Sequence, residues 1–171
     1  MIGVLSMSSC SRVELSQTTA TVDRTPAPPT VGQTALPSTP SLGIVPDLLA
    51  GFPLATVTLD GEQILVAVAD TEQRRRQGLM GVEDLGDLEG MLFVYEEDVI
   101  VGFHMRNTPL PLDLAFFDGA GRLVGLTAMV PCREERCPTY SSPGPFRWAI
   151  EAPLGALGHL AEGALLVLDT G

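Results

Sequence analysis

From about residue 47 onward, apolar and polar positions fall into short runs separated by glycine-containing turns, whereas the first 46 residues follow no period. Leu54, Thr56 and Thr58 alternate with Ala55, Val57 and Leu59, and Asp60-Gly61 follows at once. An Asp-Gly step between two alternating runs predicts a hairpin, with its second strand at about Gln63–Ala69. The segment TEQRRRQGLM predicts a helix capped by Asp70 or Thr71 and stopped at Gly78 or Gly81. Glu83–Gly90 reads as an acidic loop. Strands follow over Met91–Tyr95, Val99–Met105 and Leu112–Phe117, and the turn Asp118-Gly119-Ala120-Gly121 joins the last of these to Arg122–Val130. Pro131–Pro145 is a long loop, Phe146–Ala152 a strand, Leu154–Leu160 a short helix or turn, and Ala164–Leu168 a closing strand. In Phe146–Ala152, alternation puts Phe146, Trp148 and Ile150 on a core face, with Arg147 and Glu151 opposite.

Seven or eight strands and one principal helix predict a compact α+β domain, mainly antiparallel, β-rich and barrel-like. No βαβ rhythm shows in the pattern, which disfavours Rossmann and TIM folds. The expected organisation is a disordered leader or tether over residues 1–46 and a single globular domain over 47–171. The leader holds fourteen Ser or Thr, six of the fourteen Pro and no aromatic residue, a composition that cannot offset the entropy of ordering.

Charge sharpens this division. The formal net charge is -11 over 171 residues, and Arg12, Arg24, Glu14 and Asp23 cancel within the leader, so the domain carries all of it. Such a surface argues against nucleic acid as a partner. The chain has no Lys, which removes Schiff-base chemistry and a lysine general base. Phosphate-loop, dinucleotide, H-E-x-x-H and G-x-S-x-G motifs are missing too, and no metal or cofactor is implied. Only His104 and His159 offer an imidazole.

MIGVLSMSSC, with Cys10 followed by the Ser/Thr/Pro-rich stretch, resembles the remnant of a bacterial lipoprotein start, with Met7 where Leu is usual. A free thiol on a tail, or a start that omits the positive n-region, are the other readings. Membrane attachment is expected only through this leader, and oligomeric state stays open. Cys132 and Cys137 in PCREERCPTY can close a small loop as a disulfide, remain structural thiols, or join a metal or catalytic site; Arg133 and Arg136 would lower either thiol's pKa. A disulfide and an exported leader agree, pointing to an extracytoplasmic or envelope location, with the cytoplasm the alternative.

The polar turn His104-Met105-Arg106-Asn107-Thr108, followed by Asp113, has two readings. It is a turn in which Asn107 and Thr108 bond their own backbone while Asp113 receives such bonds or pairs with Arg106, or it is a cleft for a small polar or anionic ligand. In the second, Arg106 takes a carboxylate or phosphate bidentately, Asn107, Thr108 and Asp113 supply the other polar contacts, and Tyr140 lies beside the Ser141–Pro145 loop. The alternatives are a hydrolase-type enzyme using Asp113 or a reduced Cys, or a structural protein-interaction domain.

The blocks AVADTEQRRRQGLMGVEDLGDLEGMLFVY, FHMRNTPLPLDLAFFDGAGRLV and MVPCREERCPTYSSPGPFRWAIEA resemble the prokaryotic domain-of-unknown-function family number 192, also uncharacterised protein family 0127. The resemblance spans about Leu54 to Asp169. It implies a compact β-rich α+β fold, often exported, with no established activity. The family's Met-Lys-Asn-Thr corresponds to Met105, Arg106, Asn107 and Thr108, its Pro-Leu-Asp to Pro111, Leu112 and Asp113, and its Cys-x-x-Tyr to Cys137 and Tyr140.

Overall fold

The computed structural model describes residues 44–168. The leader expected over residues 1–46, Cys10 included, lies outside the described residues except for its last three. A 3-10 turn, Asp47–Leu49, leads into β1 (Leu54–Leu59) and β2 (Glu62–Ala69). Asp60 and Gly61 both take positive φ, 48° and 91°, as the two-residue hairpin turn demands. Helix α1 (Glu72–Gln77) is capped by Thr71, whose hydroxyl accepts from the Arg74 amide at 3.2 Å, and ends at Gly78. Then come β3 (Gly90–Val99), β4 (Gly102–His104), β5 (Leu112–Phe117), β6 (Leu123–Met129), β7 (Thr139–Ser141), β8 (Phe146–Pro153) and β9 (Leu166–Leu168).

Seven of these strands form one sheet in the order β6-β5-β8-β3-β2-β1-β9, and β4 and β7 pair separately. Every neighbouring pair but one is antiparallel, and the fold is the expected barrel-like α+β domain. The exception is β2 with β3, which run parallel through the crossover that contains α1. One βαβ unit is therefore present where the sequence pattern showed none, because a six-residue helix with no buried residue leaves hardly any helical period to read.

The sheet is covered on both faces. One core gathers Val57, Leu59, Leu92, Phe117, Ile150 and Leu166, capped by Leu157 and Leu160. The other lies on the opposite face and gathers Met91, Phe93, Leu112, Leu114, Phe116 and Phe146 under Leu79, Val82, Leu85, Leu88 and Phe103. The segment expected as an acidic loop thus supplies apolar cover, with Leu85 and Leu88 buried between its charges. Two further expectations change. The strand foreseen over Val99–Met105 is broken at Ile100 and Val101, so β3 ends in the large sheet and β4 starts a second one. β7 arises inside the foreseen loop Pro131–Pro145 because Tyr140 pairs with Phe103.

The sheet curls until its outer strands approach. Arg122 and Leu165 form an antiparallel bridge, and the Leu166 amide donates to the Gly121 carbonyl at 2.8 Å. Gly121 has φ 78°, and a Cβ there would sit 2.2 Å from the Leu166 carbonyl oxygen. Gly121→Ala is expected to cost about 2–3 kcal/mol, from left-handed strain plus a backbone collision. Gly155, with φ 90° and nothing within 4 Å of its would-be Cβ, is the control for strain alone. Urea unfolding should show the Gly121 variant losing clearly more stability than Gly155→Ala; equal losses would contradict closure at this point.

Candidate functional site

The candidate site centres on a residue that strand alternation alone places opposite the core face. Glu151 lies on β8, opposite Met91 of β3 and Leu114 of β5. Alternation does put it opposite Ile150, but that face is covered as well, and Glu151 is 6% exposed. Phe146 and Ile150 accordingly sit in different cores, not on one face. Between the pairs Val94–Trp148 and Val99–Phe146 the register of β3 on β8 shifts, which breaks simple alternation along β8.

Above Glu151, α1 and the segment 101–108 leave a cleft of about 540 Å³. Phe93, Tyr95 and Phe103 form its aromatic walls, and the Glu151 side chain reaches it from below. Phe93 and Phe103 meet edge to face, with ring centroids 5.0 Å apart. No side-chain nitrogen or oxygen among the described residues is both sealed from solvent and unpartnered, so the Glu151 carboxyl, which no protein hydrogen bond perturbs, keeps its access to the cleft. Burial alone pushes its pKa from 4.5 to about 8, so the group is mainly protonated at neutral pH.

Three arginines gather at the opening, Arg75 and Arg76 from α1 and Arg106 from the turn after β4, with His104 of β4 beside them. Arg75 is anchored by donating to the carbonyls of Asp70 and Val94, each at 2.8 Å, and its guanidinium lies 4.8 Å from the Tyr95 ring centroid. Arg76 pairs with Glu72 one helical turn away. Arg106 donates to the Glu135 carbonyl, in the loop closed by Cys132 and Cys137. In a chain of net charge -11, three of ten arginines at one opening make a local reversal of sign.

The five expected ligand residues do not converge. Arg106 and Thr108 line the cleft. Asn107, at φ 57°, turns away into a second cleft of about 350 Å³ with Thr108, Pro109 and Arg133. Tyr140 packs against the core, its hydroxyl accepting from the Val130 amide at 3.3 Å. Asp113 faces neither cleft: it is buried, and its Oδ2 accepts from the amides of Gly155 and Leu157 at 2.8 and 3.0 Å. Sequence proximity groups it with Arg106, but Leu114 faces the core that contains Phe93 and Phe103, and Asp113 points to the opposite side of β5.

Cys132 and Cys137 are joined, with S–S 2.10 Å and Cα atoms 5.8 Å apart. The Cys132 carbonyl accepts from the Asn107 amide, and the Cys132 amide donates to the Met105 carbonyl, both at 3.2 Å. The bridged loop thereby buttresses the strand end that presents Arg106. Replacing both cysteines with Ser is expected to cost about 2 kcal/mol, the loop-closure entropy of so short a ring. Denaturant unfolding checks the cost. Two rapidly reacting thiols in unreduced native protein would contradict the bridge.

No helix among the described residues is long and apolar enough to cross a membrane, and none of their His, Cys, Asp and Glu groups forms a metal-holding cluster. A family profile, DUF192, described as an uncharacterized ACR, matches residues 55–165. A crystal structure of a protein of unknown function from Novosphingobium aromaticivorans DSM 12444 is similar over 79% of this chain and 99% of its own, at 25% identity and TM-score 0.63. Another, of a protein provisionally assigned as a transcription regulator from Sinorhizobium meliloti 1021, covers 67% of this chain and 93% of its own, at 28% identity and TM-score 0.59. No curated protein matches.

Proposed function

The chain belongs to the uncharacterised DUF192 family, and we propose that its domain binds a small polar ligand with an anionic group in the cleft between α1 and β4. One observation carries this reading. A buried carboxyl without a protein partner opens into the same cavity that draws Arg75, Arg76 and Arg106 to its rim. Burying a carboxyl among apolar side chains is unfavourable for folding and is tolerated where it serves a site. The rim arginines offer fork geometry for a carboxylate or phosphate, and the cleft volume lies in the range of small-molecule sites.

The enzyme alternative finds less support. Asp113 is committed to two backbone amides, and the cysteines to each other. The assignment of the S. meliloti relative transfers poorly, because α1 is six residues long and the net charge repels a phosphate backbone. The disulfide, together with the lipoprotein-like start, supports a place at the cell envelope, with residues 1–46 as the tether of the domain.

The test is a thermal-shift screen of small carboxylates and phosphates. A ligand at a hundred times its Kd should stabilise the protein by about 2.7 kcal/mol. Arg106→Ala should abolish the shift, while Arg147→Ala, whose guanidinium pairs with Asp98 outside the cleft, should retain it. If no anionic compound stabilises the wild type, the reading fails.

A further inference from the structure

We propose that the base of the cleft is a subsite for a primary ammonium group, so that the ligand is an amino carboxylate, entering amine first with its anionic end held at the arginine rim. This rests on the cleft reading above and assigns its two ends to opposite chemistries. The base combines a carboxyl with aromatic walls from Phe93, Tyr95 and Phe103. A carboxylate gives a cation its counter-charge, and aromatic rings stabilise it further when water is excluded.

The protein's own cations do not fill this role. Arg75 donates through Nη1 to two backbone carbonyls and lies over the Tyr95 ring, and Arg106 donates through Nη2 to the Glu135 carbonyl; neither is paired with Glu151, and each keeps donors for an anion at the rim. On the sheet side Glu151 is flanked by Met91 and Leu114, which bring no charge. The titratable and charged groups on the elements around it are Tyr95 of β3, Arg75, Arg76 and Glu72 of α1, His104 of β4 and Arg106 after it. Tyr95 stays neutral, its phenol raised further by burial.

Binding then has a defined proton balance. The free carboxyl is neutral; the arriving ammonium replaces its proton, which passes to solvent, and leaves a carboxylate–ammonium pair. Below the titration of Glu151, near pH 8, each bound amine therefore releases up to one proton, and affinity for the amine rises with pH.

Isothermal titration at neutral pH, in buffers of different ionisation enthalpy, with 6-aminohexanoate, hexanoate and hexylammonium as probes, tests the proposal on the full chain. The aminocarboxylate should bind at least about tenfold more tightly than hexanoate, with proton release. Glu151→Gln should erase both the preference and the release while still binding hexanoate, which also shows the variant to be folded. Equal binding of hexanoate and 6-aminohexanoate by the wild type, or a preference that survives Glu151→Gln, overturns the ammonium subsite and leaves the anion-binding cleft standing. If none of the three binds, the cleft reading falls with it.

Discussion

Stability should fall as pH rises from about 5 to about 9 in the wild type relative to Glu151→Gln, with the two unfolding free energies diverging by roughly 4 kcal/mol. The sign follows from the direction of the shift. Burial raises the Glu151 carboxyl from 4.5 to about 8 in the folded protein, so between those values the folded state holds a proton that the unfolded state has released. Unfolding therefore becomes easier with every step upward in pH across that window. The contribution of the neutral carboxyl is fully present below the ordinary carboxylate range and is lost as pH passes about 8. Glutamine keeps the shape and cannot ionise, so its curve lacks this decline, while the other carboxylates titrate alike in both proteins. Urea unfolding across the range measures the difference directly; parallel curves would mean that the carboxyl is solvated or paired.

Asp113→Ala should destabilise the domain by about 3 kcal/mol, because it removes one acceptor from two amides at once. The turn after β8 places the amides of Gly155 and Leu157 on a single carboxylate oxygen, and Leu157 is itself part of the core on that face. Losing the carboxylate leaves the buried Leu157 amide without its acceptor and frees the cap formed by Leu157 and Leu160. Asp113→Asn retains an acceptor oxygen and should cost about 1 kcal/mol, the charge-assisted part of the two bonds. Both variants should retain ligand affinity where they are folded, because Asp113 lies across the sheet from the cleft. Denaturant midpoints give the costs. A selective loss of ligand affinity in a stably folded Asp113→Asn protein would return this residue to the binding site.

Local features of the fold were legible where one residue type has one geometric use. Asp60-Gly61 required the left-handed turn that it makes, and Thr71 and Gly78 bracket α1 as a cap and a stop. Asp118 closes the β5–β6 turn by accepting from the amides of Ala120 and Arg122, as its Asp-Gly context suggested. What depends on distant partners was not legible. The closure through Arg122 and Leu165, the pairing of β4 with β7 and the parallel register of β2 on β3 join segments whose proximity no local period encodes.

The candidate site was half visible for the same reason. Arg106 and Thr108, polar residues between two apolar strands, stand out in the sequence and line the cleft. Asp113 was grouped with them by chain proximity, although alternation along β5 turns it to the other side. Glu151 was passed over because alternation marks a face and does not say whether that face is wet. A signal was present all the same: Glu151 is the lone charge within Ala149, Ile150 and Ala152, a nearly continuous apolar run of the kind that marks a strand buried on both faces. Leu79 and Phe103, which line the cleft with Glu151, belong to the core that covers this face.

The titration of the Glu151 carboxyl, followed by NMR on protein labelled at its glutamate side-chain carbons and assigned by comparison with Glu151→Gln, bears most directly on the site. One glutamate resonance should stay in its protonated position through neutral pH and move only near pH 8, and it should be missing from the variant. If the resonance lost in the variant instead moves with the surface glutamates near their ordinary value, Glu151 is ionised at neutral pH, and the neutral, unpartnered carboxyl at the base of the cleft is contradicted.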